Sequence, residues 1–119
     1  GWWRAATSLP LPLGANAIRR DLDRRHGPGT CARVTSVLRR SIEHALAAAE
    51  RGLDHALAFA QPGTSRAKAE RFIGMYVNDL TLDAGPRGEV AIRELLTRAF
   101  AAGLAPDPGD VALVAPESA

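Results

Sequence analysis

With 119 residues, 46% of them hydrophobic and 24% charged, the chain is one globular domain or part of one, and disorder is excluded except near its ends. The formal net charge is only +2, and the arginine pairs Arg19-Arg20, Arg24-Arg25 and Arg39-Arg40 have Asp21, Asp23, Glu43 and Glu50 close by, which argues against nucleic-acid binding and for a solvated surface. One cysteine, Cys31, excludes an internal disulfide and a cysteine-cluster metal site, and no apolar run approaches the ~18 residues of a membrane span.

The chain opens on Gly1-Trp2-Trp3 rather than on methionine, with no basic-then-apolar signal pattern, and reads as a truncated or fragmentary chain. The paired tryptophans need something large to pack against. Residues 8–20 read as extended, because Pro10 and Pro12 force Leu9 and Leu11 away from helical angles. A strand over residues 11–18 is expected, at an edge where missing donors do no harm, with Gly14 marking a bulge or a close approach. The run Arg24-Arg25-His26-Gly27-Pro28-Gly29 reads as a loop.

A strong helix is expected over residues 31–50, N-capped by Thr30, with Val34, Leu38, Ile42, Ala45 and Ala49 on one stripe. Gly52 interrupts it, and a shorter helix continues with Leu53, Ala56, Leu57 and Ala60 facing inward. Thr64 or Ser65 caps a third helix to residue 78, burying Ala69, Phe72, Ile73 and Tyr76, with Gly74 on the opposite side beside Arg71 and Asn78. Residues 80–85 form a connector. Asp83 or Gly85 caps a fourth helix to residue 102, with Pro86 in its first turn, Ile92, Leu95, Leu96, Ala99 and Phe100 buried, and Gly103 as its stop. Glu89–Arg93 and Glu94–Arg98 are i,i+4 pairs in the better orientation. Residues 111–114 read as a short final strand, and the last residues as frayed. A strand of this kind has no sequential partner in the chain, so the sheet it needs is expected upstream of Gly1.

Catalytic chemistry is hard to find in these residues. His44 and His55 lack the close spacing of a helical zinc pair. Cys31 near a helix start is either an activated thiol or a small first-turn residue. Ser8, Ser36, Ser41 and Ser65 lack a Gly-x-Ser-x-Gly setting. Gly85-Pro86-Arg87-Gly88 precedes a helix without the lysine and serine or threonine of a phosphate loop, and Arg87 is either an anion contact or simply exposed. His26 lies in a Gly/Pro loop, where a histidine is usually solvated. Gly74 either admits a close neighbour or is a tolerated glycine on a solvated face.

Two runs carry a family resemblance. Trp2-Trp3, then Leu9-Pro10-Leu11-Pro12-Leu13-Gly14-Ala15 and Arg19-Arg20-Asp21-Leu22, resemble the C-terminal part of the 1,4-dihydroxy-6-naphthoate synthase family, in the futalosine route to menaquinone. Tyr76-Val77-Asn78 and the turn Leu82-Asp83-Ala84-Gly85 are similar to the family's later pattern. The resemblance covers essentially the whole chain. The sister family, chorismate dehydratase, tends to carry bulkier aromatics in the Leu-Pro segment, so the plain leucines favour the naphthoate synthase; a non-catalytic solute-binding lobe of similar architecture is the other alternative.

The resemblance implies a helix-rich α/β piece of a two-lobed fold like that of type II periplasmic binding proteins. Residues 1–22 would be the return crossing and strand, and residues 23–119 the helical tail of the first lobe. It implies a cytoplasmic lyase that converts cyclic dehypoxanthinyl futalosine into 1,4-dihydroxy-6-naphthoate, with no metal or organic cofactor. The histidine base would lie upstream of the tryptophan pair, so no catalytic residue is carried over and the chain alone is expected to be inactive. The expected partners are the substrate and the missing N-terminal part of its own chain, with a homodimer compatible and no nucleic acid or membrane. What remains for these 119 residues is cleft lining, with Leu13, Gly14, Ala15 and Asn16 turned towards a flat aromatic ligand, or else packing the hinge.

Overall fold

The computed structural model describes residues 1–118, which form seven helices joined by turns and one long irregular segment. The helices are α1 (Trp2–Thr7), α2 (Leu22–His26), α3 (Thr30–Ala47), α4 (Ala49–Ala58), α5 (Arg66–Tyr76), α6 (Asp79–Leu82) and α7 (Gly85–Ala101). α3 lies against α2, α6 and α4, and α4 lies against α5.

The helix ends follow local chemistry. Ser65 caps α5, its side chain accepting the Lys68 N–H at 3.2 Å. α7 has Pro86 in its first turn and ends in a Schellman pair: Leu104 N–H donates to Ala99 O at 2.8 Å and Gly103 N–H to Phe100 O at 2.9 Å. Gly103 takes φ +70°, the left-handed angle that this motif demands of a residue without Cβ.

Several expectations are corrected. Residues 10–19 form no strand, and neither do residues 111–114; among the described residues there is no strand at all. The reason is the one that made the strand awkward: two prolines remove donors, and no second extended segment offers a ladder. Trp2–Thr7 is helical, and so is Leu22–His26, part of which reads as loop from its Gly/Pro flank. The connector after α5 contains α6, which Asn78 nucleates through a capping box with Thr81. The long helix breaks at Ala48 (φ −113°, ψ 33°), not at Gly52, which lies inside α4. That bend places Glu50 and Asp54 beside α5, where Arg66 meets both carboxylates, at 2.6 Å from Asp54. The C-terminal segment carries its own ties: Glu117 N–H donates to Ser36 Oγ at 2.9 Å, and Arg20 donates to Asp110 O.

Thr30 is not the cap of α3. It is the first helical residue, after Gly29. The helix start is held by Asp23 of α2, whose carboxylate accepts the Cys31 N–H at 2.8 Å and the Gly29 N–H at 3.2 Å. Two amides at a positive helix end favour the ionised carboxylate, and they hold Asp23 below the usual carboxylate range, the Cys31 amide contributing most. The neighbouring Asp21 is lowered mainly by a two-point contact with Arg19, at 2.9 and 2.8 Å.

The apolar stripes exist, but little covers them. Trp3, Leu53 and Ala91 are the buried hydrophobic residues, while Val34, Leu38, Phe72, Tyr76 and Phe100 of the expected stripes remain exposed. The accessible surface is 9116 Å², against about 6,200 Å² for a compact monomer of this mass. The radius of gyration is 17.0 Å, against about 13–14 Å for a compact chain of this length. The described residues therefore present helix faces built for burial without supplying all of what would bury them.

Asp23 binds fewer protons when folded than when unfolded, so it adds stability above the unfolded value of about 3.9, and that contribution is lost as pH falls through its lower folded value. Asp23→Asn is expected to flatten the acid limb of the stability profile, read as the denaturant midpoint between pH 6 and pH 3. An unchanged acid limb would remove the carboxylate from its place at the head of α3.

Candidate functional site

The proline-rich segment is pinned at its start. The Trp3 indole is buried, 6% exposed, and its Nε1–H donates to Pro10 O at 2.9 Å. The Arg98 guanidinium of α7 lies 6.0 Å from the centroid of that ring, within cation–π range. Ser8 takes a left-handed angle (φ 57°) to turn the chain out of α1, and its carbonyl accepts from Arg87 of α7 at 2.6 Å. Arg87, one candidate anion contact, is thus committed to the backbone of the segment it faces.

Beyond that anchor, residues 10–16 form one wall of a cleft of about 610 Å³. Leu13, Gly14, Ala15 and Asn16 all line it. The other walls come from Ile42 of α3, Met75 and Tyr76 at the end of α5, Asn78 and Thr81 around α6, Ala84, Gly88, Ala91 and Ile92 at the start of α7, and Leu113 of the C-terminal segment. Both sequence runs that stand out in the chain therefore meet at one place. The volume lies within the roughly 300–1,000 Å³ of small-molecule sites, and the lining is mostly apolar with a few polar groups, as such sites are. A second cleft of about 720 Å³, lined by Trp2, Arg4, Arg87 and Leu95, adjoins it through Pro10, Leu11 and Leu80.

Small residues make the α7 wall. Gly88 and Ala91 are buried, Ala91 completely. A Cβ placed on Gly88 would stand 2.6 Å from Ala84 Cβ, so nothing larger fits without movement. Gly14, by contrast, has open space where a Cβ would go and no positive φ. It marks neither a bulge nor a close approach among the described residues. Gly74 likewise faces open space, and its carbonyl accepts from Asn78 Nδ2 at 3.1 Å.

The polar lining divides into committed and uncommitted groups. Asn78 Oδ1 accepts the Leu80 N–H at 3.0 Å, and Thr81 Oγ1 accepts the Asn78 N–H at 3.1 Å while donating to Tyr76 O at 2.8 Å. These side chains serve the α5–α6 corner. The Asn16 amide and the Tyr76 hydroxyl take no part in those bonds.

The remaining candidates lie elsewhere. His26, His44 and His55 do not line the cleft, and among the described residues no three His, Cys, Asp or Glu side chains gather as a metal set would. The Cys31 thiol is pushed up, first by desolvation and then by Asp23, the opposite direction from an activated thiol. No helix among the described residues is long and apolar enough to cross a membrane. Ile42, Gly88, Ala91 and Leu113 had no local signal in the sequence to mark them as lining residues. Only the apolar period of α3 and α7 and the glycine within a helix hint at them.

Residues 1–101 match the profile of a family described as "Menaquinone biosynthesis", and the chain belongs to that family. Two curated relatives share the name 1,4-dihydroxy-6-naphtoate synthase. The protein from Streptomyces coelicolor is 40% identical over 114 residues, 96% of this chain and 39% of the relative. The protein from Thermus thermophilus is 43% identical over 108 residues, 90% of this chain and 38% of the relative. The chain thus spans about two-fifths of the length of the curated relatives it matches. No solved structure gives a significant match.

Gly88→Ala is expected to force Ala84 outward and to cost about 1–3 kcal/mol, as overpacking of a filled site does. A denaturant midpoint equal to that of the parent protein would show that the α7 wall yields freely.

Proposed function

We propose that these residues form the C-terminal part of a cytoplasmic lyase that converts cyclic dehypoxanthinyl futalosine into 1,4-dihydroxy-6-naphthoate. The observation that carries this reading is the meeting of the Leu-Pro run with Tyr76 in one cleft, in a chain that matches the menaquinone family over residues 1–101. The naphthoate synthase name of both relatives supports the product, and the apolar walls suit a flat aromatic body.

In this reading Leu13, Gly14, Ala15 and Asn16 line the substrate cleft, with Asn16 offering a polar contact beside the leucine wall. Residues 1–22 are the crossing segment, and residues 23–119 the helical tail, of a two-lobed fold like that of periplasmic binding proteins. The catalytic base belongs to the remainder of the protein, since no histidine of this chain lines the cleft. The exposed stripes of α3, α5 and α7 are the faces on which that remainder packs. The surface of 9116 Å² supports this, because it exceeds that of a compact monomer by about half.

The full-length protein is expected to release 1,4-dihydroxy-6-naphthoate from the cyclic substrate, followed by mass spectrometry of the product. Residues 1–119 alone are expected to release none. Absence of product from the full-length protein would overturn the assignment, and release of an enolpyruvyl-derived product from chorismate would move it to the sister dehydratase. Turnover by the 119 residues alone would overturn the placement of the base.

A further inference from the structure

We propose that Tyr76 is a specificity-determining residue of this cleft, its hydroxyl donating a hydrogen bond to an oxygen substituent on the aromatic ring of the ligand. The inference rests on the reading of the cleft as the substrate site and adds to it a residue from the far half of the chain.

The cleft has four polar side chains in its lining: Asn16, Tyr76, Asn78 and Thr81. Asn78 is consumed on both sides of its amide, by Leu80 N–H at its oxygen and by Gly74 O at its nitrogen. Thr81 is consumed as donor and acceptor within the same corner. The groups left to recognise a ligand are the Asn16 amide on one wall and the Tyr76 phenol on another. The remaining side chains of the lining are apolar, the Met75 thioether included, or absent at glycine, and they bind an aromatic body without telling an oxygen-bearing ring from a bare one. Discrimination of that kind comes from a polar group that is left unpaired when the wrong ligand enters.

The ring of Tyr76 is also held. It packs against Phe72 one turn earlier in a tilted pair, with centroids 5.1 Å apart and planes inclined by 49°, within the separation at which aromatic rings interact. Its backbone carbonyl is fixed by Thr81 Oγ1 at the start of α6. The residue is 46% exposed, and it lines the cleft at the C-terminal end of α5, where the helix gives way to the α5–α6 corner. Removing the hydroxyl while keeping the ring leaves both the Phe72 contact and the corner intact. Tyr76→Phe is therefore a test of recognition rather than of folding.

In the full-length protein, Tyr76→Phe is expected to raise KM about tenfold with kcat within about twofold, as loss of a hydrogen bond made equally in ground and transition states does. The inhibition constant of the naphthoate product is expected to rise in step, and the melting temperature to stay unchanged. Asn16→Ala, measured alongside, separates the two levels of the inference. If Asn16→Ala raises KM and Tyr76→Phe leaves it within twofold, the tyrosine proposal is overturned and the cleft stands. If both leave KM and the product constant unchanged in an active enzyme, the cleft is not the substrate site and both readings fall. A lowered melting temperature with unaltered kinetics would make Tyr76 a packing residue and overturn the proposal.

Discussion

The site depends on how the proline-rich segment seats on α7. A segment with prolines at positions 10 and 12 has lost two ladder donors and has no strand beside it among the described residues, so something other than a sheet holds it. The Trp3 indole does so from the N-terminal side by donating to Pro10 O, and Arg87 does so from α7 by donating to Ser8 O. Gly88 and Ala91 line the cleft that lies between this segment and α7.

The same chain shows two kinds of helix support. α5, α6 and α7 are terminated by their own residues: Ser65, Asn78 and the Gly103–Leu104 pair. α3 is begun by a carboxylate borrowed from α2, so the α2–α3 corner is one unit and the short α2 persists because Asp23 is engaged. Along their lengths the helices are less well served, since few of their apolar residues are buried. Helices in water draw most of their stability from packing of such faces rather than from propensity.

How much could be read from the residues follows the range of the interactions. The long helices, a cap at Thr64 or Ser65, the Gly103 stop and the Glu89–Arg93 and Glu94–Arg98 pairs were legible, because each is written within a few residues of itself. The short helices α1, α2 and α6 were not, because four to six residues carry too little periodicity. The cap of α3 was misplaced on Thr30 because its true acceptor, Asp23, sits eight residues before Cys31. The strand over residues 11–18 was read from extended propensity, yet a strand exists only with a partner. Residues 13–16 were singled out as cleft lining through the family resemblance of the Leu-Pro run, with hinge packing as the alternative. The opposing wall was not, since Gly88 and Leu113 are distant in sequence and come together only through the fold.

The ties that close this architecture span long stretches of chain: Ser8 to Arg87, Arg20 to Asp110, and Ser36 to Glu117. Each must overcome a loop-closure entropy that grows with the logarithm of the intervening length, and each is a side-chain-to-backbone bond worth only about 1 kcal/mol net. Local helices can therefore form early, on microsecond scales, whereas the clasp that these long-range ties make costs the most chain entropy to close. A molecule that touched both Leu13 and Leu113 would act as a rivet across that clasp.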